Sequence, residues 1–193
     1  MSSMTDLLLN QLGDGGLESL AQSLGSNPEA TKAATTAALP LLFGALAKNA
    51  STEDGASALA GALDRDHDGS VLEGITNALA GQDRSIGDGI LKHVLGGQRS
   101  MAETGIAQAS GLDTTQTSAM LAKLAPLVMG ALGKAKRSQD LDAGGISDLL
   151  QGEGSQARKQ LGGLAGLLDR DGDGSIADDL LGGLGRSLFG RKD

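Results

Sequence analysis

The feature that most limits the folds open to this chain is an internal repeat. When the sequence is displaced by 86 positions, its two halves align without a gap for about forty residues. The best-matched block is LPLLFGALAK at residues 39–48, which falls on APLVMGALGK at residues 125–134. Such self-similarity is typical of related units that bury their apolar faces against each other. We therefore predict a single domain over residues 1–193, with a first pseudo-repeat at 1–83 and a second at 84–193.

The second pseudo-repeat is longer than the first. An Asp-rich segment near the end of each half matches its counterpart at a displacement of 105, so the second half carries 19 additional residues. This insert lies near residues 136–156 and is polar and Gly-rich. Because Gly and short polar residues favour turns and loops, we expect part of the insert to be mobile.

The sequence pattern predicts an all-α, multihelical fold. Residues 5–12 and 17–24 carry apolar side chains at helical spacing. Asn27 and Pro28 then form a helix start, because Asn is a preferred N-cap and Pro is favoured at the first helical position. Asp113 occupies the matching place in the second half. No stretch shows the alternation of a strand, and β-branched residues are scarce.

The long helices that begin at these starts are predicted to run to about Asn49 and Arg137, with Pro40 and Pro126 inside them. An internal Pro removes a backbone hydrogen bond and clashes with the preceding turn, so each long helix is expected to be kinked or broken there. Helices are expected to end and restart around the two Asp-rich segments, at Leu63 and Val71 in the first half and at Leu168 and Ile176 in the second.

The composition argues against several classes of function. The formal net charge is −8, and no basic stripe is present to neutralise phosphates, so we expect no binding of nucleic acid. The chain has no Cys, which removes disulfides, zinc–thiolate sites and thiol nucleophiles. The two aromatic residues are Phe43 and Phe189, so Leu and Ala must fill the core. A core of this kind is expected to be stabilised by a bound ion or by self-association.

The location of the protein is predicted from the absence of sorting signals. Its N-terminal residues lack a basic region followed by a long apolar run, so no signal peptide is expected. No uninterrupted apolar stretch approaches about 18 residues, so no transmembrane helix is expected either. These observations predict a cytoplasmic protein.

Two Asp-x-Asp-x-Asp-Gly loops carry the most specific chemistry. The first Asp loop is DRDHDGS at residues 64–70, and the second Asp loop is DRDGDGS at residues 169–175. Carboxylates two residues apart can turn oxygens toward one point, the Gly permits a sharp turn, and oxygen is the ligand that Ca²⁺ prefers. The candidate calcium ligands are Asp64, Asp66, Asp68, Ser70 and Glu73 in the first half and Asp169, Asp171, Asp173, Ser175 and Asp178 in the second.

Both loops resemble the EF-hand loop and the shorter dockerin-type loop, but they depart from that pattern at its end. A bidentate acid belongs at position 12 of an EF-hand, where this chain has Ile75 and Leu180. Glu73 and Asp178 stand at position 10 instead. A loop without the position-12 carboxylate should bind weakly, with a Kd on the order of 10⁻⁵–10⁻³ M.

Helix capping is the alternative interpretation of the same residues. Ser70-x-x-Glu73 matches a capping box, and Ser175-x-x-Asp178 is closely related to one. A cap accounts for the Ser and one acid, but it gives no reason to place three mutually repelling carboxylates together. The sequence leaves both interpretations open.

No catalytic constellation is apparent elsewhere. His67 and His93 lie 26 residues apart without a third ligand nearby, and no nucleophile elbow is present. We therefore expect a non-enzymatic protein that is stabilised by Ca²⁺ and acts as a binding or scaffold module. The protein could also form a homo-oligomer. The alternative is a self-assembling structural protein in which the Asp loops are only helix caps.

One family resemblance accompanies these motifs. The sequence GLD at residues 111–113, LAPLVMGALG at 124–133 and LLDRDGDGSIADD at 167–179 resembles a bacterial family catalogued as a domain of unknown function, to which the YidB-like proteins belong. The resemblance covers most of the chain and is strongest over residues 111–185. It implies a multihelical, cytoplasmic bacterial protein, and it implies no activity.

Overall fold

The computed structural model describes residues 3–81 and 83–168. All regular structure in these two ranges is helical, which confirms the prediction of an all-α fold. The α-helices are α1 (Met4–Leu24), α2 (Pro28–Asn49), α3 (Glu53–Asp66), α4 (Ile75–Ala80), α5 (Ser85–Val94), α6 (Arg99–Ser110), α7 (Thr114–Ser138) and α8 (Ala143–Leu168). Short 3₁₀ helices span Ser70–Gly74 and Gly96–Gln98.

The two long helices begin where the capping residues predict. The Asn27 side chain accepts a hydrogen bond of 2.7 Å from the Ala30 N–H, and Pro28 is the first residue of α2. The Asp113 side chain accepts an equivalent bond of 2.7 Å from the Gln116 N–H at the start of α7. These contacts satisfy backbone donors that have no partner within the helix.

Glycine and proline have different effects inside the helices. The predicted helices at 5–12 and 17–24 are both present, and they form the two parts of α1 on either side of a kink at Gly13, where φ is 53°. Only a residue without a Cβ adopts this backbone conformation readily. By contrast, α2 and α7 continue through Pro40 and Pro126, so of the two predicted outcomes, a kink or a break, the break does not occur. Burial of both helices in the core outweighs the loss of one backbone hydrogen bond.

Helix α7 lies at the centre of the core. It contacts α1, α2, α3, α4, α5 and α6, and residues on nearly all sides of it are buried. Met120, Leu121 and Leu124 on α7 are fully buried, as is Phe43 on α2. Leu and Ala supply most of the remaining buried apolar side chains among the described residues, as the composition predicts.

The contact between α5 and α7 depends on a glycine. A Cβ at Gly87 would overlap with the carbonyl oxygen of Ala122 and lie 2.9 Å from the Ala122 Cα. The two helix backbones therefore approach more closely than any side chain at position 87 would allow. Close approach of this kind compensates for the scarcity of large aromatic side chains in the core.

Most of the insert of the second half is helical. Residues 143–156 belong to α8, which packs against α2 and α3. Ile146 and Leu150 lie one helical turn apart and are 1% and 0% exposed. Burial of these side chains outweighs the helix penalty of the neighbouring glycines, which is about 1 kcal/mol each.

Polar contacts attach α8 at two places. The Ser147 hydroxyl donates to the Ala50 carbonyl oxygen at 2.9 Å. The Glu153 carboxylate, which is buried, accepts a hydrogen bond of 2.8 Å from the Met4 N–H at the first turn of α1. Helix α8 thus connects the C-terminal end of α2 with the N-terminal end of α1.

One described helix, α2, is long and apolar enough to cross a membrane by length and composition alone. Lys32 and several Thr residues divide the sequence of α2, so it contains no long uninterrupted apolar run. The finding is weak evidence for a membrane span, since a core helix passes the same test and half of the apolar window is buried inside the protein.

We predict that Gly87→Ala will lower the free energy of unfolding by about 1–3 kcal/mol, because the new methyl group overpacks the contact between α5 and α7. Gly89→Ala on the same helix is the matched control. It has open space around its Cβ position and should raise stability by about 0.4–1 kcal/mol. Urea denaturation of both variants measures the difference, and equal effects at the two positions would contradict the close approach.

Candidate metal centre

The first Asp loop connects α3 to the 3₁₀ helix Ser70–Gly74. Helix α3 extends to Asp66, three residues beyond the predicted end at Leu63, so Asp64 and Asp66 belong to its last turn. Acidic side chains are unfavourable at a helix C-terminus because the helix dipole is negative there. A cation from α7 offsets this effect at Asp64, as described below.

Glycines on α7 allow the loop to lie directly on that helix. A Cβ at Gly133 would overlap with the carbonyl oxygen of His67, and a Cβ at Gly130 would overlap with the Val71 side chain. Gly69 has a φ of 89°, and its own Cβ position lies 3.1 Å from the Lys134 Cβ. The position of the first Asp loop therefore depends on small residues in the block that repeats most clearly along the sequence.

Two cations in the last turn of α7 bind the ends of the first Asp loop. The Lys136 Nζ lies 2.7 Å from the Asp64 Oδ1, and only 17% of the Lys136 side chain is exposed. The Arg137 guanidinium donates to the main-chain carbonyl oxygen of Asp68. Cations are favoured at this end of a helix, so α7 supplies positive charge where the loop concentrates negative charge.

Asp68 binds Ser70, the residue for which a capping role was predicted. Its Oδ1 accepts hydrogen bonds of 2.9 Å from the Ser70 N–H and 2.5 Å from the Ser70 hydroxyl. These bonds lower the pKa of Asp68 because they favour the ionised carboxylate, and Arg137 acts in the same direction. The 3₁₀ helix that follows has no side-chain cap at Gly69, so the capping box between Ser70 and Glu73 is not formed.

Three of the five candidate ligands in the first half share a cleft of about 370 Å³. They are Asp68, Ser70 and Glu73. The cleft is completed by Gln11 of α1, Gly69, Leu72 and Lys134 of α7. The Gln11 amide donates to the Leu72 carbonyl oxygen at 3.4 Å. The cleft thus combines two carboxylates, a hydroxyl, an amide and one cationic side chain.

The other two candidate ligands lie outside this cleft. Asp64 is paired with Lys136, and the carboxylate of Asp66 lies 4.0 Å from the Arg65 guanidinium. Within residues 3–81 and 83–168, no three His, Asp or Glu side chains are grouped closely enough to hold a metal ion. The fold therefore brings Asp68, Ser70 and Glu73 together but leaves Asp64 and Asp66 apart from them.

The candidate ligands of the second Asp loop, Asp169, Asp171, Asp173, Ser175 and Asp178, lie outside the described residues.

Sequence reasoning missed four residues that contact the first Asp loop or line its cleft. They are Gln11, Lys134, Lys136 and Arg137. The basic sequence KAKR at residues 134–137 was a usable signal, because a cluster of cations at a helix end suits a nearby acidic loop. Nothing in the local pattern around Gln11 distinguishes it from other exposed amides.

Two other charged side chains have structural partners outside the site. Lys123 on α7 is buried, and its Nζ donates to the carbonyl oxygens of Leu79 and Gly81 at 2.5 Å each. Burial lowers the pKa of Lys123. Arg99 on α6 binds Asp88 at 2.6 Å and Glu103 at 2.8 Å. Lys123 connects α7 to the end of α4, and Arg99 connects α6 to α5.

Comparison with known families adds one assignment. A model of the family described as "Bacterial protein of unknown function (DUF937)" matches residues 6–136, about two thirds of the chain. The chain belongs to this family. The DUF937 match includes the first Asp loop and most of α7, and it ends before the second Asp loop. Of the residues 111–185 over which the family resemblance was strongest, the match therefore supports those up to residue 136. No curated protein and no solved structure matches the chain.

We predict that Ser70→Ala will raise the pKa of Asp68 toward its ordinary value of 3.8, because the hydroxyl that favours the carboxylate is removed. A depressed folded-state pKa contributes stability above pH 3.8, and that contribution is lost as the pH falls through the folded value. Carbon-detected NMR titration of the Asp carboxyl groups measures the shift. Asp83, whose pKa is lowered by Ser85, is the internal control and should not change. An unchanged Asp68 would contradict the role given to Ser70.

Proposed function

We propose that this protein is a non-enzymatic helical module that is stabilised by weak binding of Ca²⁺ at its Asp loops. The observation that carries the proposal is the cleft at the first Asp loop, where Asp68, Ser70 and Glu73 meet the side chain of Gln11. Carboxylate, main-chain carbonyl and side-chain amide oxygens are the ligands that Ca²⁺ prefers, and an open cleft leaves space for water to complete its coordination.

The arrangement of helices around the loop supports the same proposal. Helix α3, the first Asp loop and the segment from Ser70 to Ala80 form a helix–loop–helix unit that resembles an EF-hand in its order of elements. Asp68 and Glu73 would bind the ion from the cleft, and Asp64 and Asp66 would have to turn from the end of α3 to join them. We extend the proposal to the second Asp loop because its sequence carries the same three Asp residues and the same Gly.

A structural role suits this site better than a signalling role. The first Asp loop already lies against α7 through Gly130 and Gly133, so an ion would reinforce an existing contact. An ion that binds only the folded state stabilises it by RT ln(1 + [L]/Kd), which is about 1.4 kcal/mol at ten times the Kd. Weak affinity is enough for this purpose wherever calcium reaches millimolar concentrations.

Self-assembly with the Asp loops serving only as caps is the second candidate. The observation that favours loops without metal is that two of the acids already have partners within the protein: Lys136 pairs with Asp64, and the Asp68 carboxylate accepts from the Ser70 N–H. In this case the loop needs no metal. A cytoplasmic location and formation of a homo-oligomer stay predictions from the sequence.

We predict that Ca²⁺ at ten times its Kd will raise the melting temperature by about 3–5 °C, measured by differential scanning fluorimetry. The reference chain carries Asp169→Asn, Asp171→Asn and Asp173→Asn, so that only the first Asp loop responds. Adding Asp68→Asn and Glu73→Gln to the reference chain should abolish the calcium-induced shift. In chelator, the same two substitutions should change the melting temperature by less than that shift.

The matched control for this pair is Asp14→Asn with Glu18→Gln. Both side chains lie exposed on α1, and the change in net charge is the same. The control should keep the full calcium shift. If the reference chain shows no shift up to 10 mM Ca²⁺ (roughly ten times the weakest Kd expected), the calcium proposal is rejected for the first Asp loop.

The second candidate predicts concentration-dependent association. Light scattering coupled to size-exclusion chromatography should then show a mass above 19.3 kDa that increases with protein concentration, with and without chelator. A single monomeric species at all concentrations would exclude self-assembly.

A further inference from the structure

We infer that two copies of this chain form a dimer by exchanging α8, so that the α8 of each copy packs on the α2 and α3 of the other. The partner is a second copy of the chain, and the interaction surface is the one that α8 covers in the monomer. The inference does not depend on Ca²⁺. It supplies a specific route for the self-assembly considered above as the second candidate, and the experiment below can reject this route while self-assembly itself stands.

The first argument is the position of α8 in the fold. Within the described residues, its principal neighbours are α2 and α3, which belong to the first half of the chain, although α8 follows α7 directly in sequence. Ile146 and Leu150 are buried there. Because α8 packs on elements far from it in the sequence, the same surface of a second copy offers it identical apolar contacts.

The polar contacts of α8 have the same property. The Ser147 hydroxyl donates to the carbonyl oxygen of Ala50, 97 residues earlier, and the Glu153 carboxylate accepts from the N–H of Met4, 149 residues earlier. Both partners lie in the first half of the chain. An exchanged α8 therefore keeps these hydrogen bonds, and the dimer needs no new complementary surface.

The second argument is the conformation of the hinge between α7 and α8, residues 139–142. The Leu141 N–H donates to the Lys136 carbonyl oxygen at 2.9 Å, which is the bond of a Schellman turn at a helix C-terminus. The left-handed position of such a turn is usually Gly, but here it is Asp140, with a φ of 52°. Asp140 is the one non-glycine residue with a positive φ in the described ranges. The monomer therefore carries a backbone cost that opening of the hinge relieves.

The balance between monomer and dimer follows from these two arguments. Since exchange conserves the contacts of α8, it is opposed by the freedom that two chains lose on association and favoured by relief of the hinge. A short hinge under strain is a known cause of exchange between copies. The dimer fraction should therefore rise with protein concentration and fall when the hinge is made comfortable.

The experiment is a disulfide cross-link, which the chain permits because it has no Cys of its own. A Cβ at Gly154 would lie 3.4 Å from the Ala47 Cβ, close to the separation of about 3.5–4.5 Å in a disulfide. One protein carries Ala47→Cys alone and a second carries Gly154→Cys alone, so a bond between these positions forms only between chains. The matched control replaces Gly154→Cys by Ser155→Cys, at an exposed position on α8.

The two full-length proteins are mixed in reducing buffer and held a few degrees below the melting temperature, so that α8 can exchange. They are then cooled, oxidised and separated by denaturing electrophoresis without reductant. A tag on one protein distinguishes the mixed dimer by size from dimers of like chains. Circular dichroism confirms that each variant is folded.

We expect a mixed covalent dimer from Ala47→Cys with Gly154→Cys, in a yield that rises with protein concentration and exceeds that of the Ser155→Cys control. Asp140→Gly in both proteins should lower the yield. The relief is roughly fivefold at each hinge, and therefore about 25-fold in the dimer Kd, because a dimer opens two hinges. Asp140→Ala removes the same charge without the freedom of Gly, so it should not lower the yield.

A yield no higher than that of the Ser155→Cys control at every concentration overturns the exchange. Light scattering on the unmodified chain then separates the two failures. Association without the mixed cross-link rejects the exchange and leaves self-assembly standing, whereas a monomer at all concentrations rejects both. Equal yields with Asp140 and with Asp140→Gly overturn the role given to the hinge.

Discussion

The structure depends on the close approach of other backbones to helix α7. Gly87 lets α5 lie against Ala122, and Gly130 and Gly133 let the first Asp loop lie against the C-terminal half of α7. A chain with two aromatic residues cannot fill a core with large rings, so it gains van der Waals contact by bringing backbones together. Small residues thus close the core at Gly87 and set the position of the acidic loop at Gly130 and Gly133. Fold and candidate site therefore share one physical cause.

Local signals in the sequence were sufficient for the helix starts. Asn27 and Asp113 were recognisable as N-caps because the short polar side chain bonds a donor only a few residues away. The course of the long helices could not be predicted in the same way. Pro40 and Pro126 each cost their helix a backbone hydrogen bond, and contacts with distant parts of the chain offset that cost. The burial of Ile146 and Leu150 likewise depends on helices about one hundred residues earlier in the chain.

The candidate site was predicted in part for a similar reason. The spacing of Asp68, Ser70 and Glu73 places them on one cleft, because only a few residues of backbone separate them. Asp64 and Asp66 were assigned to the loop on the same pattern, but they belong to the last turn of α3. Asp64 is in addition paired with Lys136, a partner 72 residues away that no local pattern connects with it. Acidic loops in helical proteins should therefore be compared with the basic helix ends of the whole chain before a metal is assigned.

The contact between Glu153 and the Met4 N–H has a consequence for the order in which the chain can assemble. The first turn of α1 completes its hydrogen bonding through a side chain that lies 149 residues later. This bond can therefore form only after most of the chain has been synthesised. A fragment that ends after α7 would leave the Met4 N–H without this acceptor, and only the local cap at Ser3 would remain at the start of α1.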